Sequence, residues 1–230
     1  MVLPIESDYA NRTYNIDLCL CIDKTSSMEL CFAELRKFVN NLDQDIHDMV
    51  SGKGFQLGEL RIRFVLFGDY LNDPEPMIES PFYTSHDKES MLSFLSRINA
   101  EGGKDIAADG LEALVYGMHS DWCTKGWKKR HVIVLITDAP AHELGYSKKA
   151  ATYPQSGMPD DFGQLSEMWG WDQEEPGIMN HKAKRLVLFT PNESFWHTIV
   201  ECWENSCLKP ITSSSDITYQ SITKTIGYLL

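Results

Sequence analysis

Residues 14–28 read YNIDLCLCIDKTSSM. The largely apolar run from Ile16 to Ile22 stops at Asp23, and oxygen-bearing side chains then fall at every second position: Asp23, Thr25 and Ser27. The apolar part predicts a buried strand, and the polar part predicts the loop leaving its carboxyl end. One carboxylate and two hydroxyls are hard oxygen donors, a set suited to Mg2+ or a similar hard cation. A simpler reading makes the same residues the N-cap region of the helix that follows. The rest of the chain bears on the choice.

Downstream, residues 29–50 place Leu35, Phe38, Val39, Leu42, Ile46, Met49 and Val50 at helical spacing, with Gly52 and Gly54 to stop the helix. LRIRFVLF (60–67) predicts a second strand, which ends in Gly68-Asp69-Tyr70. Met77–Tyr83, in a segment punctuated by Pro74, Pro76 and Pro81, predicts a short edge strand. Helices are expected over Asp87–Ala100 and Ile106–His119, on either side of the polar loop Glu101-Gly102-Gly103-Lys104-Asp105. HVIVLI (131–136) is continuously apolar and ends at Thr137-Asp138-Ala139-Pro140, the pattern of a central parallel strand covered on both faces.

Residues 139–180 are rich in glycine, proline, acids and aromatics, and an elaborated loop with a short helix at Asp161–Trp169 is expected there. A strand at Lys184–Thr190, a helix over Glu193–Asn205, a short strand at Leu208–Thr212 and a last helix with N-caps in 213–216 complete the pattern. Strands and helices alternate throughout. The expected fold is therefore α/β and doubly wound: a mostly parallel central sheet with helices on both faces, in one domain over 14–230 after a polar lead-in at 1–13.

Charge and cysteine usage narrow the partners. The chain has 230 residues and a net charge of −12, with a pI near 5.0. An acidic surface repels phosphate backbones, which argues against nucleic acid. Six cysteines include no CxxC pair, and Cys19 and Cys21, two apart in a strand, do not suit a mutual bridge. Reduced thiols in the cytoplasm are the expectation. The start lacks a basic stretch followed by an apolar one, and no apolar run approaches the ~20 residues needed to span a bilayer, so no membrane association is expected.

In a doubly wound sheet, ligands bind at the carboxyl ends of the strands, where strand order reverses. Acid-bearing loops are expected there at Asp23-x-Thr25-x-Ser27, at Gly102-Gly103-Lys104-Asp105 and at Thr137-Asp138. In that order they resemble the von Willebrand factor A domain. LCLCIDKTSSM resembles the Asp-x-Ser/Thr-x-Ser opening of the family's metal-ion-dependent adhesion site, GGKDIAADGLEAL its second metal loop and VIVLITDAP its third. Ala139-Pro140-Ala141-His142, Tyr146 and Tyr153-Pro154 resemble the extension seen in A domains attached to alpha-type kinases.

The resemblance implies a bound Mg2+ (or Mn2+ or Ca2+) and a protein partner whose Asp or Glu carboxylate completes the metal sphere. Carried over by position, Asp23, Thr25 and Ser27 are the first-loop ligands, Asp105 the second-loop ligand and Asp138 the third-loop acid. Adhesion-type members have a threonine after Gly-Gly, where this chain has Lys104. Like charges ~4 Å apart cost on the order of 1–4 kcal/mol, so Lys104 must point outward or weaken the site.

Other motifs carry less. His142-Glu143 lacks the second histidine of HExxH, no GxxxxGK[ST] occurs, and Cys123 has no evident base. Asp69 reads as a turn acid, with a place on the rim of the metal loops as the alternative. Trp169 and Trp171, with acids around them, either pin a long loop to the core or form a partner-binding rim. The expectation is a non-enzymatic, metal-dependent protein-recognition module in an intracellular signalling or regulatory assembly. The alternative, motivated by Lys104, is a metal-independent scaffold subunit with a degenerate site, acting beside a kinase, phosphatase or ATPase. A metal-dependent hydrolase would need a base or nucleophile that the sequence does not nominate.

Overall fold

The computed structural model describes residues 13–98, 107–171 and 173–230. The first strand, β1 (Thr13–Asp23), turns Leu18, Leu20 and Ile22 into one core and Cys19 and Cys21 into another, because successive side chains in a strand face opposite ways. Both faces are buried. The chain continues through α1 (Glu29–Gly52), β2 (Gln56–Phe67), β3 (Met77–Glu79), β4 (Tyr83–Thr84), α2 (Lys88–Ser96), α3 (Gly110–Met118) and β5 (Lys128–Ile136). It ends with α4 (Phe162–Trp169), β6 (Lys184–Thr190), α5 (Ser194–Cys202), β7 (Ser206–Pro210) and α6 (Tyr219–Leu229).

The strands form one sheet in the order β3-β2-β1-β5-β6-β7, with β4 also paired to β2. β1, β2, β5, β6 and β7 run parallel, and only β3 and β4 are antiparallel to β2. Phe38 and Ile46 of α1, Leu95 of α2 and Ile226 of α6 pack on one face. Leu114 of α3, Leu165 of α4 and Trp196 of α5 pack on the other. The fold is the doubly wound α/β arrangement that the alternation predicts. No helix among the described residues is long and apolar enough to cross a membrane.

Several boundaries differ from the sequence reading: β2 begins at Gln56 and β5 at Lys128, earlier than expected, and three further differences have a backbone reason. The edge strand expected over 77–83 is split into β3 and β4, because Pro81 has no N–H to give the ladder and Ser80 caps Phe64 N–H with its hydroxyl at 2.9 Å. The helix expected from Ile106 begins at Gly110, because Ala108 is extended and bridged to Ala141; Ile106 itself lies outside the described residues. The helix expected to reach Asn205 ends at Cys202. Asn205 has φ 61, and its carbonyl accepts from Leu186 N–H at 2.9 Å, which brings the chain into β7 at Ser206, two residues earlier than expected. The stop expected for α1 is where glycine places it: Gly54 takes φ 77 and donates to the Ser51 carbonyl at 2.9 Å.

The long segment 139–180 covers the second core. Trp169 is fully buried, stacks on Trp203 with ring centroids 5.3 Å apart and donates its indole N–H to the Glu204 carbonyl. Lys184, also fully buried, donates to the carbonyls of Trp169, Gly170 and Pro176. Trp169 therefore pins the segment, whereas Trp171 is 40% exposed.

Candidate metal centre

The chain passes from β1 through α1 to β2 on one side, while β5 lies on the other side of β1. The winding reverses between the carboxyl ends of β1 and β5, the place where sheets of this kind bind ligands. Asp23 closes β1, and Thr137 and Asp138 follow β5 directly.

Asp23 is fully buried. Its Oδ1 accepts the Thr25 N–H at 2.8 Å, a turn that aspartate makes readily, and its Oδ2 accepts the Thr137 hydroxyl at 2.6 Å. The loop then tightens into a 3-10 turn, Ser26–Met28, that feeds α1. This turn brings the Thr25 and Ser27 hydroxyls to 3.2 Å, and Ser27 Oγ donates to Asp138 Oδ1 at 2.8 Å. The Ser214 hydroxyl donates to the Ser27 carbonyl and steadies the turn from below. Burial pushes the Asp23 carboxyl above its usual range, the bonds from Thr137 and Thr25 pull it down, and the charge of Asp138 pushes it up again. Among the described residues, no lysine, arginine or histidine pairs with Asp23 or Asp138.

Four of the five residues singled out in the sequence thus converge: Asp23, Thr25, Ser27 and Asp138 form one connected set. Asp105, with Gly102, Gly103 and Lys104, lies outside the described residues. Thr137 belongs to the loop Thr137-Asp138 of the sequence reading but not to its ligand set, yet its hydroxyl binds Asp23 directly. Its place, hydroxyl-bearing and one residue before Asp138, is the signal that could have found it.

A second cluster lies at the ends of β2 and of the segment before α3. Asp69, Asp109 and His142 place one potential ligand atom each within 4.8 Å of one another, and all three are buried. The backbone builds it. Asp109 N–H donates to the Gly68 carbonyl, Ala108 N–H to Pro140, and His142 N–H back to Ala108, all at 3.0–3.1 Å. Asp109 Oδ1 lies 3.0 Å from His142 Nδ1 and accepts the Ser147 hydroxyl at 3.0 Å, while Oδ2 accepts Tyr70 N–H at 2.7 Å. Asp69 plays the turn role read from the sequence, accepting from Leu71 N–H and the Asn72 amide. It also faces Asp109 and His142, a grouping that the sequence reading does not nominate. In the first turn of α3, Glu112 accepts from Gly145 N–H and the Tyr153 hydroxyl. Burial, with the charge of Asp109, pushes its carboxyl up to about 7.

The sequence profile of the von Willebrand factor type A domain matches residues 17–158, more than half of the chain and the part that carries both clusters. The chain belongs to the von Willebrand factor type A family. A domains are commonly protein–protein interaction modules, and many bind a divalent metal. Among solved structures, this A domain is similar to two crystal structures of the pilus adhesin SpaC from Lactobacillus rhamnosus GG. One aligns over 95% of this chain at 12% identity with a TM-score of 0.54. The other, in an open conformation, aligns over 94% at 11% identity with a TM-score of 0.50. This chain spans 31% of the adhesin in each case, and identity this low speaks for the fold alone. No curated protein sequence matches it.

Proposed function

We propose that this A domain binds a divalent cation, Mg2+ or Mn2+, through Asp23, Thr25, Ser27, Asp105 and Asp138, and uses it to recognise a protein partner. The observation that carries the reading is the pair of contacts across the switch point, Asp23 with Thr137 and Ser27 with Asp138. They hold two carboxylates and two hydroxyls together with no basic side chain paired to either acid among the described residues. This donor set suits a hard cation, which prefers oxygen ligands. When bound, the cation supplies a coordination position that a partner's Asp or Glu carboxylate can fill.

The chain's own residues do the rest. Thr137 and the Thr25 N–H orient Asp23, and Asp138 orients Ser27. Leu30, 60% exposed in the first turn of α1, offers apolar surface close to the same loop. The role proposed is binding rather than catalysis. Six free thiols, three of them buried, support a place inside the cell, in a signalling or regulatory assembly.

The test is calorimetry or thermal shift with Mg2+ and Mn2+ on the wild type, on Asp23→Ala and on Asp138→Asn, after treatment with chelator. A wild-type response at millimolar cation or below, lost in both variants, is expected. A wild type that ignores both ions sinks the metal reading. A pull-down from native lysate in Mg2+ and in chelator addresses the partner: a complex retained equally in both would favour the metal-independent scaffold that Lys104 motivates.

A further inference from the structure

Buried carboxylates are costly unless a positive charge or hydrogen bonds compensate them. Asp69, Asp109 and Glu112 are buried together, and among the described residues His142 is the one basic side chain ion-paired to any of the three. Hydrogen bonds leave them incompletely served. A carboxylate oxygen has two lone pairs. Asp109 Oδ1 uses both, but Asp109 Oδ2 and each oxygen of Asp69 accept a single bond among the described residues. Glu112 Oε2, fully buried, accepts none among the described residues. Acceptor capacity is thus in surplus, and the charges of two buried aspartates face one buried imidazole.

We propose that Asp69, Asp109 and His142 form a second cation site that takes a first-row transition-metal dication of the Zn2+ class. Imidazole nitrogen favours such ions over Mg2+ and Ca2+. Ligand distances of roughly 2.0–2.2 Å put tetrahedral donors about 3.4 Å apart. The present donors lie within 4.8 Å of one another, so small side-chain rotations bring them to that spacing. The Ser147 hydroxyl and the Tyr70 N–H already hold Asp109 in place, as outer partners of metal-ligating carboxylates do. Three protein ligands leave a fourth position for water or a further group. This site shares no side chain with the Asp23 set and stands or falls separately from it.

The experiment uses chelator-stripped protein in excess Mg2+, which keeps the Asp23 site from contributing. Zn2+ uptake is measured by calorimetry and by metal analysis after gel filtration, for the wild type, His142→Ala and Asp69→Asn. The expected result is one Zn2+ per wild-type chain and binding at least ~10-fold weaker in each variant. Co2+ substituted into the wild type is expected to give a visible absorption band that Asp69→Asn lacks, and this decides the matter if His142→Ala fails to fold. Absence of uptake by the wild type overturns the proposal. So does equal uptake by wild type and variants, which would point to surface pairs such as His197–Glu201.

Discussion

The Thr137 hydroxyl donates to Asp23 Oδ2 at 2.6 Å, so the residue that leaves β5 holds the carboxylate that ends β1. Thr137→Val keeps the shape of the side chain and removes the donor. The variant is expected to bind Mg2+ or Mn2+ about 10- to 100-fold more weakly, the usual effect of losing an outer partner of a metal ligand. Thr137→Ser, which keeps the hydroxyl, is expected to bind nearly as the wild type does. Calorimetric titration of the three proteins checks this, and equal affinities would show that Asp23 needs no such support.

Glu112 gives the chain a dependence on pH. Its carboxyl holds its proton up to about 7 in the fold and loses it near 4.5 in the unfolded chain. The stabilisation it contributes is therefore full below 4.5, declines as pH rises between 4.5 and 7, and is gone above 7. Glu112→Gln cannot ionise. In chelator, the stability of this variant relative to wild type is expected to rise by on the order of 2–3 kcal/mol between pH 5 and pH 8. Urea unfolding at both pH values measures it, and a gap that does not change with pH refutes it.

Lys184 holds the segment 139–180 through three carbonyls while burial pushes its ammonium down to about 8. Lys184→Met fits the apolar surroundings but leaves the carbonyls of Trp169, Gly170 and Pro176 without their donor. A loss of about 2–4 kcal/mol is expected, together with faster proteolytic cleavage within 170–180. Stability unchanged in a urea melt would mean that these carbonyls find water instead.

Gly68 marks a close approach. A Cβ there would fall 1.9 Å from Asp73 Oδ2, the atom that accepts Asp69 N–H at 2.9 Å and pairs with Lys24 at 3.5 Å. Gly68→Ala is expected to cost about 1–3 kcal/mol by displacing that carboxylate, and to disturb the turn that carries Asp69. Thermal unfolding tests the first effect and Zn2+ titration the second.

The sheet was legible because its strands are buried on both faces, and runs such as residues 131–136 announce this without any tertiary information. The first cluster was legible because each of its residues sits immediately after such a run. Asp109 and His142 were not. They meet only because Ala108 and Ala141, far apart in the chain, lie side by side, and no local pattern reports a bridge of that kind. A motif such as HExxH pairs residues close along one helix, whereas His142 pairs with Asp109, 33 residues earlier. Helix ends were misjudged wherever tertiary hydrogen bonds, as at Asn205, outweighed propensity.

The Ala108–Ala141 bridge stitches the residues that follow β5, which carry Asp138, to the residues that precede α3, which carry Asp109. Its two amide protons, on Ala108 and His142, are given to the carbonyls of Pro140 and Ala108. Their rate of exchange with deuterated solvent is therefore a built-in gauge. Ordering of Asp138 by one ion or of Asp109 by another is expected to slow the same two amides. If loading either cluster protects them, one exchange measurement reports on the occupancy of both.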